Sequence, residues 1–182
     1  MKWQQTLKDN SVLNVRQARG EDAEALDSYI QQISGETDFL TFGRGEFNIT
    51  PSANRSFLEQ QFQAANAVYL VASIEDTIVA TLNFATGHRP RIRHRGEFGM
   101  SVLQSHWGLG VGGFLLDCLV EWAQRTGFVT KLNLQVREDN TRAIALYQHK
   151  GFQQEGCLLD AMRVEGVSYN NLVMGLRVQS EN

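Results

Sequence analysis

The segment Ser101–Leu116, SVLQSHWGLGVGGFLL, constrains the fold more than any other. An apolar strand pattern runs into a loop with glycines at 108, 110, 112 and 113, and an amphipathic helix pattern follows at once. Glycine lets the backbone turn tightly and approach a ligand with no Cβ in the way. The first amides of a helix have no partners inside it and sit at the positive end of its dipole. A strand, glycine loop and helix in that order can therefore cradle a phosphate. The spacing excludes a P-loop, because no Lys-Ser or Lys-Thr follows the glycines. Gly108-x-Gly110-x-x-Gly113 matches the bare dinucleotide pattern. However, no βαβ unit opens the chain and no acid ends the next strand pattern at Val129–Val136. A loop that merely turns the chain is the plain alternative.

A chain of 182 residues is long enough for one domain with a full core, and we read 1–182 that way. The net charge of −3 gives no general case for nucleic acid or for an anionic membrane surface. Two cysteines, Cys118 and Cys157, make neither a disulfide framework nor a metal cluster, so no metal is expected. Met1–Asn10 is polar and carries no secretory pattern. No apolar run approaches the ~20 residues of a membrane span. The expectation is a cytoplasmic protein.

Strand patterns are expected at Val12–Ala18, Val68–Ile74, Ile78–Thr86, Glu97–Leu103, Val129–Val136, Phe152–Asp160 and Asn171–Val178, with Tyr169 just before the last. In Ile78–Thr86, Ile78, Ala80, Leu82 and Phe84 should face one way, and Val79, Thr81 and Asn83 the other. A first helix follows Gly20, with Leu26, Ile30 and Ile33 at helical spacing. A second starts at Thr50-Pro51 or at the capping box Ser56–Glu59, reaches about Ala65 and should bury Phe57, Leu58 and Phe62. The third spans Gly110–Arg125, with Val111, Phe114, Leu115, Cys118, Leu119 and Trp122 as its apolar stripe and Gly127 as C-cap. The fourth is Asn140–His149. Gly35–Ile49 is irregular, and its Phe39, Leu40, Phe42 and Phe47 can either enter the core or wall a pocket. His88–Arg95 is a dense basic loop, either solvated or a contact for an anion. This order implies an α+β fold. Seven strands form a mostly antiparallel mixed sheet with one parallel pair at strands four and five, flanked by about four helices.

Four motifs now occur in order: Met100-Ser-Val-x4-Trp-Gly-Leu-Gly-Val-Gly, Leu132-Asn-Leu-x-Val136, Asn140-Thr-Arg-Ala-Ile-Ala-Leu-Tyr147 and Lys150-Gly-Phe152. Together they cover about Arg95 to Glu155 and resemble the GNAT superfamily of acetyl-CoA-dependent N-acetyltransferases. The nearest flavour is the branch that acts on ribosomal proteins or small amines. The resemblance implies the GNAT fold and acetyl-CoA as cosubstrate. It implies that the backbone of Met100, Ser101 and Val102 pairs with the pantetheine arm, as a strand adds to a sheet edge. The amides of Gly108, Leu109, Gly110, Val111, Gly112 and Gly113 would hold the pyrophosphate. The sequence departs at Trp107, where the family usually has Arg or Gln. Amide contacts survive that change, but a charge-assisted side-chain contact is lost.

Asn140 reads both as the N-cap of its helix and, by resemblance, as a cofactor contact. Tyr147, on roughly the same helical face, reads either as a buried core tyrosine or, by resemblance, as the general acid for the departing CoA thiolate. Glu97 is the acid on the fourth strand and reads, by resemblance, as the base, with a surface glutamate as the competing reading. His94, Glu36, Asp38 and water alone are its substitutes. The implied reaction is direct attack in a ternary complex by a primary amine, from a small molecule, a protein N-terminus or a lysine. Neither cysteine matches a position for a covalent acetyl. A non-catalytic acyl-CoA sensor on the same fold stays open, and a nicotinamide oxidoreductase is the remoter rival. A homodimer through the last strands is also left open.

Overall fold

The computed structural model describes residues 1–179. Eight strands form one sheet in the order β1-β2-β3-β4-β5-β6-β8-β7. They are β1 Lys2–Thr6, β2 Val12–Gln17, β3 Ala67–Ile74, β4 Thr77–Thr86, β5 Arg95–Val102, β6 Lys131–Arg137, β7 Gln153–Val164 and β8 Val167–Arg177. Every neighbouring pair is antiparallel except β5 and β6, which are parallel. Four helices flank the sheet: α1 Ala23–Ile33, α2 Pro51–Gln63, α3 Val111–Thr126 and α4 Thr141–His149. The expected class and the expected parallel pair are both present. The strand count is eight, because sequence patterning missed β1. That edge strand has no apolar alternation to betray it. It is held by its ladder to β2 and by Trp3, whose indole donates to Glu121 of α3 at 2.7 Å.

The sheet divides two apolar cores. On one face, Leu70, Leu82, Phe84, Leu132, Leu134 and Met174 pack against the α3 stripe, including Leu115, Leu119 and Trp122, and against Tyr147 of α4. On the other face, Val71 and Ile78 pack against Leu26, Tyr29, Ile30 and Ile33 of α1 and Leu58 of α2. The regular alternation expected along β4 fails at its start. Ala72 pairs with Ala80 but Ser73 pairs with Ile78, so Val79 is an extra, bulged residue. The bulge sends Ile78 to the α1 face, while Val79 joins Ala80 and Leu82 in the α3 core.

One open alternative is resolved, and two further expectations need correction. The α2 helix starts at Thr50-Pro51, where the Thr50 hydroxyl accepts from Ala53 N at 3.3 Å; the alternative start at Ser56 lies inside the helix. Leu58 is fully buried, but Phe57 and Phe62 are 41% and 42% exposed. They lie over the edge of Tyr69 and under the Arg19 guanidinium, because one narrow face of this helix meets the sheet. Tyr169 lies inside β8, not before it. Residues 161–170 continue both last strands through a tight turn at Glu165-Gly166, whose φ angles are 47° and 83°. That hairpin stands largely in solvent, so its residues lack the half-buried alternation that marks a strand.

Candidate active site

The parallel ladder between β5 and β6 is short. Arg95 pairs with Lys131, Gly96 with Leu132 and Glu97 with Asn133, and there the pairing ends. Among the described residues, no strand lies beside the β5 edge from Phe98 onward, although β4 continues to pair on its other side as far as Val102. The backbone of Met100 and Ser101 therefore offers an unfilled sheet edge, the geometry that strand addition needs. The Val102 carbonyl is already taken by the Trp107 indole N–H at 2.7 Å.

The amide loop follows directly. Gly108 and Gly110 have φ angles of +80° and +105°, which disfavour any residue with a Cβ. Nothing lies within 4 Å of where a Cβ on Gly110 would stand, so conformation rather than crowding requires glycine there. Gly112 answers a different demand. A Cβ would come within 3.1 Å of Leu146, so this glycine lets α4 close on the first turn of α3. Among the described residues, the amides from Gly108 to Gly113 donate to no other group of the chain. They form a row of free donors at the start of a 16-residue helix. This loop and the open β5 edge fit a thioester cosubstrate whose arm lies along a strand and whose pyrophosphate meets amides.

Strand alternation separates the two candidate catalytic groups. Phe98 is buried against Tyr147 of α4 and Phe152 beyond its end, with ring centroids 5.9 Å and 5.6 Å away. Glu97 points to the opposite face and is exposed. The Gln135 amide of β6 donates to both Glu97 oxygens at 3.3 Å. In turn, the Asn171 amide of β8 donates to Gln135 at 3.5 Å, so three adjacent strands align the carboxylate. Burial pushes the Tyr147 phenol up to about 12, keeping it a proton carrier at neutral pH. Asn140 caps α4, accepting from Ala143 N at 3.2 Å. Two of the substitutes for Glu97 are otherwise engaged. Glu36 accepts from Gln104 N at 2.7 Å and from Gln32 at 2.9 Å. Asp38 is bound to Arg137; the backbone carbonyl of His94 holds the start of β6, while its exposed imidazole is not engaged by these bonds.

Two groups of residues escaped sequence reasoning. The Tyr29 hydroxyl meets the Ser101 hydroxyl at 2.8 Å, which lies 3.3 Å from that of Thr81. Burial raises the Tyr29 phenol above its ordinary value, so this cluster remains neutral. Arg137 is the other, only 5% exposed. It binds Asp139 through two contacts of 2.7 and 2.9 Å, and the Asp38 carbonyl and carboxylate at 3.1 and 3.2 Å. Its guanidinium lies 4.4 Å from the Phe39 ring centroid and 3.8 Å from that of Tyr169. It thereby pins the Gly35–Ile49 loop to the β8 hairpin. The other aromatics of that loop, Phe42 and Phe47, pack on each other and on the α1 core with Leu40. One signal for Arg137 was available: it continues the alternation of β6 on the face that carries Asn133 and Gln135.

A mixed sheet opened at its parallel pair, beside a row of helix-start amides, is the arrangement of an acyl-CoA-dependent transferase. The acetyltransferase (GNAT) family model matches residues 36–152, and the chain belongs to that family. An L-amino acid N-acetyltransferase of Escherichia coli K12 is 28% identical over 147 residues, covering 80% of this chain and 86% of that protein. The crystal structure of a GNAT-family acetyltransferase from Streptococcus pneumoniae superposes with a TM-score of 0.88 at 30% identity, covering 92% of this chain and 99% of that one. A Salmonella typhimurium relative solved with acetyl-CoA shares the fold, with a TM-score of 0.79 at 19% identity over 93% and 95% of the two chains. The protein is an N-acetyltransferase with acetyl-CoA as cosubstrate. Among the described residues, no group of His, Cys, Asp or Glu is arranged to hold a metal, and no helix is long and apolar enough to cross a membrane.

Proposed function

We propose that this enzyme acetylates the primary amine of a small molecule, with an α-amino acid as the first acceptor to test, by direct attack in a ternary complex. The observation that carries the reading is the end of β5–β6 pairing at Glu97 and Asn133. The slot opens there between an exposed carboxylate on one face and a buried phenol on the other. The similarity to an L-amino acid N-acetyltransferase favours a small acceptor.

Acetyl-CoA supplies an activated acyl group on a thiol leaving group. Met100 and Ser101 align its arm along the open edge of β5, Asn140 contacts it from α4, and the Gly108–Gly113 amides hold its pyrophosphate. Glu97, aligned by Gln135, takes a proton from the incoming ammonium, directly or through a water. The free amine then attacks the acetyl carbonyl carbon. Unpaired β5 amides stabilise the charge developing on the carbonyl oxygen. As the C–S bond breaks, Tyr147 gives its proton to the sulfur, the attacking nitrogen loses its second proton to water, and the phenol regains a proton from water. A thiol of pKa roughly 8.5 leaves with little help, so the phenol accelerates the step without being indispensable.

The test is a calorimetric titration with acetyl-CoA followed by thiol release on amino acids, polyamines, aminoglycosides and peptides with free N-termini. Turnover led by amino acids is the expected result. Turnover confined to peptides would overturn the small-molecule acceptor. Binding with no release on any acceptor would favour the non-catalytic sensor.

A further inference from the structure

Trp107 stands where the family usually has Arg or Gln, yet the loop is not without a cation. We infer that Arg142 supplies the positive charge that the pyrophosphate of acetyl-CoA meets, and that Trp107 is the platform that aims it. The inference rests on the acetyl-CoA reading of the loop.

Trp107 is fixed by its bond to the Val102 carbonyl at 2.7 Å. The Arg142 guanidinium lies over its ring, with Cζ 4.7 Å from the centroid. Stacking occupies one flat face of a guanidinium and leaves its edge N–H donors free. Nη2 is 3.6 Å from the position that a Cβ on Gly108 would take, which places it beside the row of free amides. Among the described residues, no carboxylate forms a salt bridge with Arg142. The nearby cation Lys150 is already spent on Asp117, at 2.6 and 2.7 Å.

Arg142 is also poorly placed for the stability of its own helix. It is the second residue of α4, in the first turn, where the helix dipole disfavours a cation. An anion bound at the loop reverses that sign, because guanidinium and free amides then converge on one charge. The sequence alone shows a charge lost at position 107. The structure brings a replacement from 35 residues downstream.

The test is calorimetry of wild type, Arg142→Ala, Arg142→Lys and Trp107→Phe with acetyl-CoA and with 3′-dephospho-CoA, at low and moderate salt. Arg142→Ala is expected to weaken both ligands by the same factor, about tenfold or more, and to make binding less salt-sensitive. Arg142→Lys recovers part of the loss, and Trp107→Phe falls between wild type and Arg142→Ala. Arg142 is exposed, so melting temperatures should stay together. If Arg142→Ala melts early, the lysine variant and the Trp107 variant carry the comparison. Equal affinities in wild type and Arg142→Ala would overturn the inference alone. A loss seen with acetyl-CoA but not with 3′-dephospho-CoA would also overturn it, by assigning the charge to the 3′-phosphate. No binding by wild type would overturn the acetyl-CoA reading together with it.

Discussion

The two sides of the β5 strand are built by different means. The proposed cofactor side is mainly backbone: an open strand edge, two left-handed glycines and a row of helix-start amides within Phe98–Gly113. The proposed acceptor side is made of side chains from distant segments. Glu97, Gln135 and Asn171 come from β5, β6 and β8, and Arg137 ties the Gly35–Ile49 loop to Tyr169. A backbone site tolerates most side-chain changes but depends on conformation. A side-chain site keeps its backbone when altered but is lost with single contacts.

The sharpest way to break this contrast is Gly110→Val. A β-branched residue at φ +105° must shift the loop, and acetyl-CoA affinity should fall on the order of 100-fold. Calorimetry checks it; near-normal binding would mean that the amides are not the site. Next comes Glu97→Gln, expected to lower kcat about 100-fold with little change in acetyl-CoA affinity and a flattened rise of rate with pH. Stopped thiol-release assays across pH decide whether a carboxylate or water is the base.

Tyr147→Phe is expected to cost about tenfold in kcat. In wild type, burial raises the phenol above its ordinary value, so Tyr147 itself should impose no falling limb on the rate near neutral pH. Arg137→Ala should raise the acceptor KM several-fold and destabilise the fold by about 2 kcal/mol, discounted because Asp38 and Asp139 are half exposed. Acetyl-CoA affinity should not follow. A fall in both affinities would erase the division between the two sides.

The smallest effect concerns pH. Burial alone would raise the Asp22 carboxyl, but the Arg16 fork at 2.6 and 2.7 Å and the Arg19 amide hold it below its ordinary 3.8. The Arg137 hydrogen bonds similarly depress Asp139. A depressed carboxylate contributes stability above its unfolded value and loses it as pH falls through the folded one. Denaturant midpoints should therefore decline below about pH 4. Asp22→Asn should be less stable at neutral pH and show a shallower decline.

Much of the local structure on the proposed cofactor side was legible because its determinants are local. Glycine spacing, the Asn140 cap and the apolar stripe of α3 are short-range patterns, and the structure forms the loop, cap and helix where those patterns fall. The errors fell where long-range pairing or solvent exposure decides. The polar edge strand β1 and the solvent-facing β7–β8 hairpin have no amphipathic signature, and the Val79 bulge is set by register against β3.

The sequence by itself determined the fold class, the parallel crossover at strands β5 and β6 and the glycine loop, because each follows from residue type at fixed short spacing. Only the tertiary structure decided that β5 and β6 part at Glu97, that Gln135 steadies that carboxylate, that Arg137 locks the Gly35–Ile49 loop and that Arg142 covers Trp107. Those contacts join residues far apart in the chain. Their energies depend on distance and burial in the packed molecule, and neither exists until the sheet has formed.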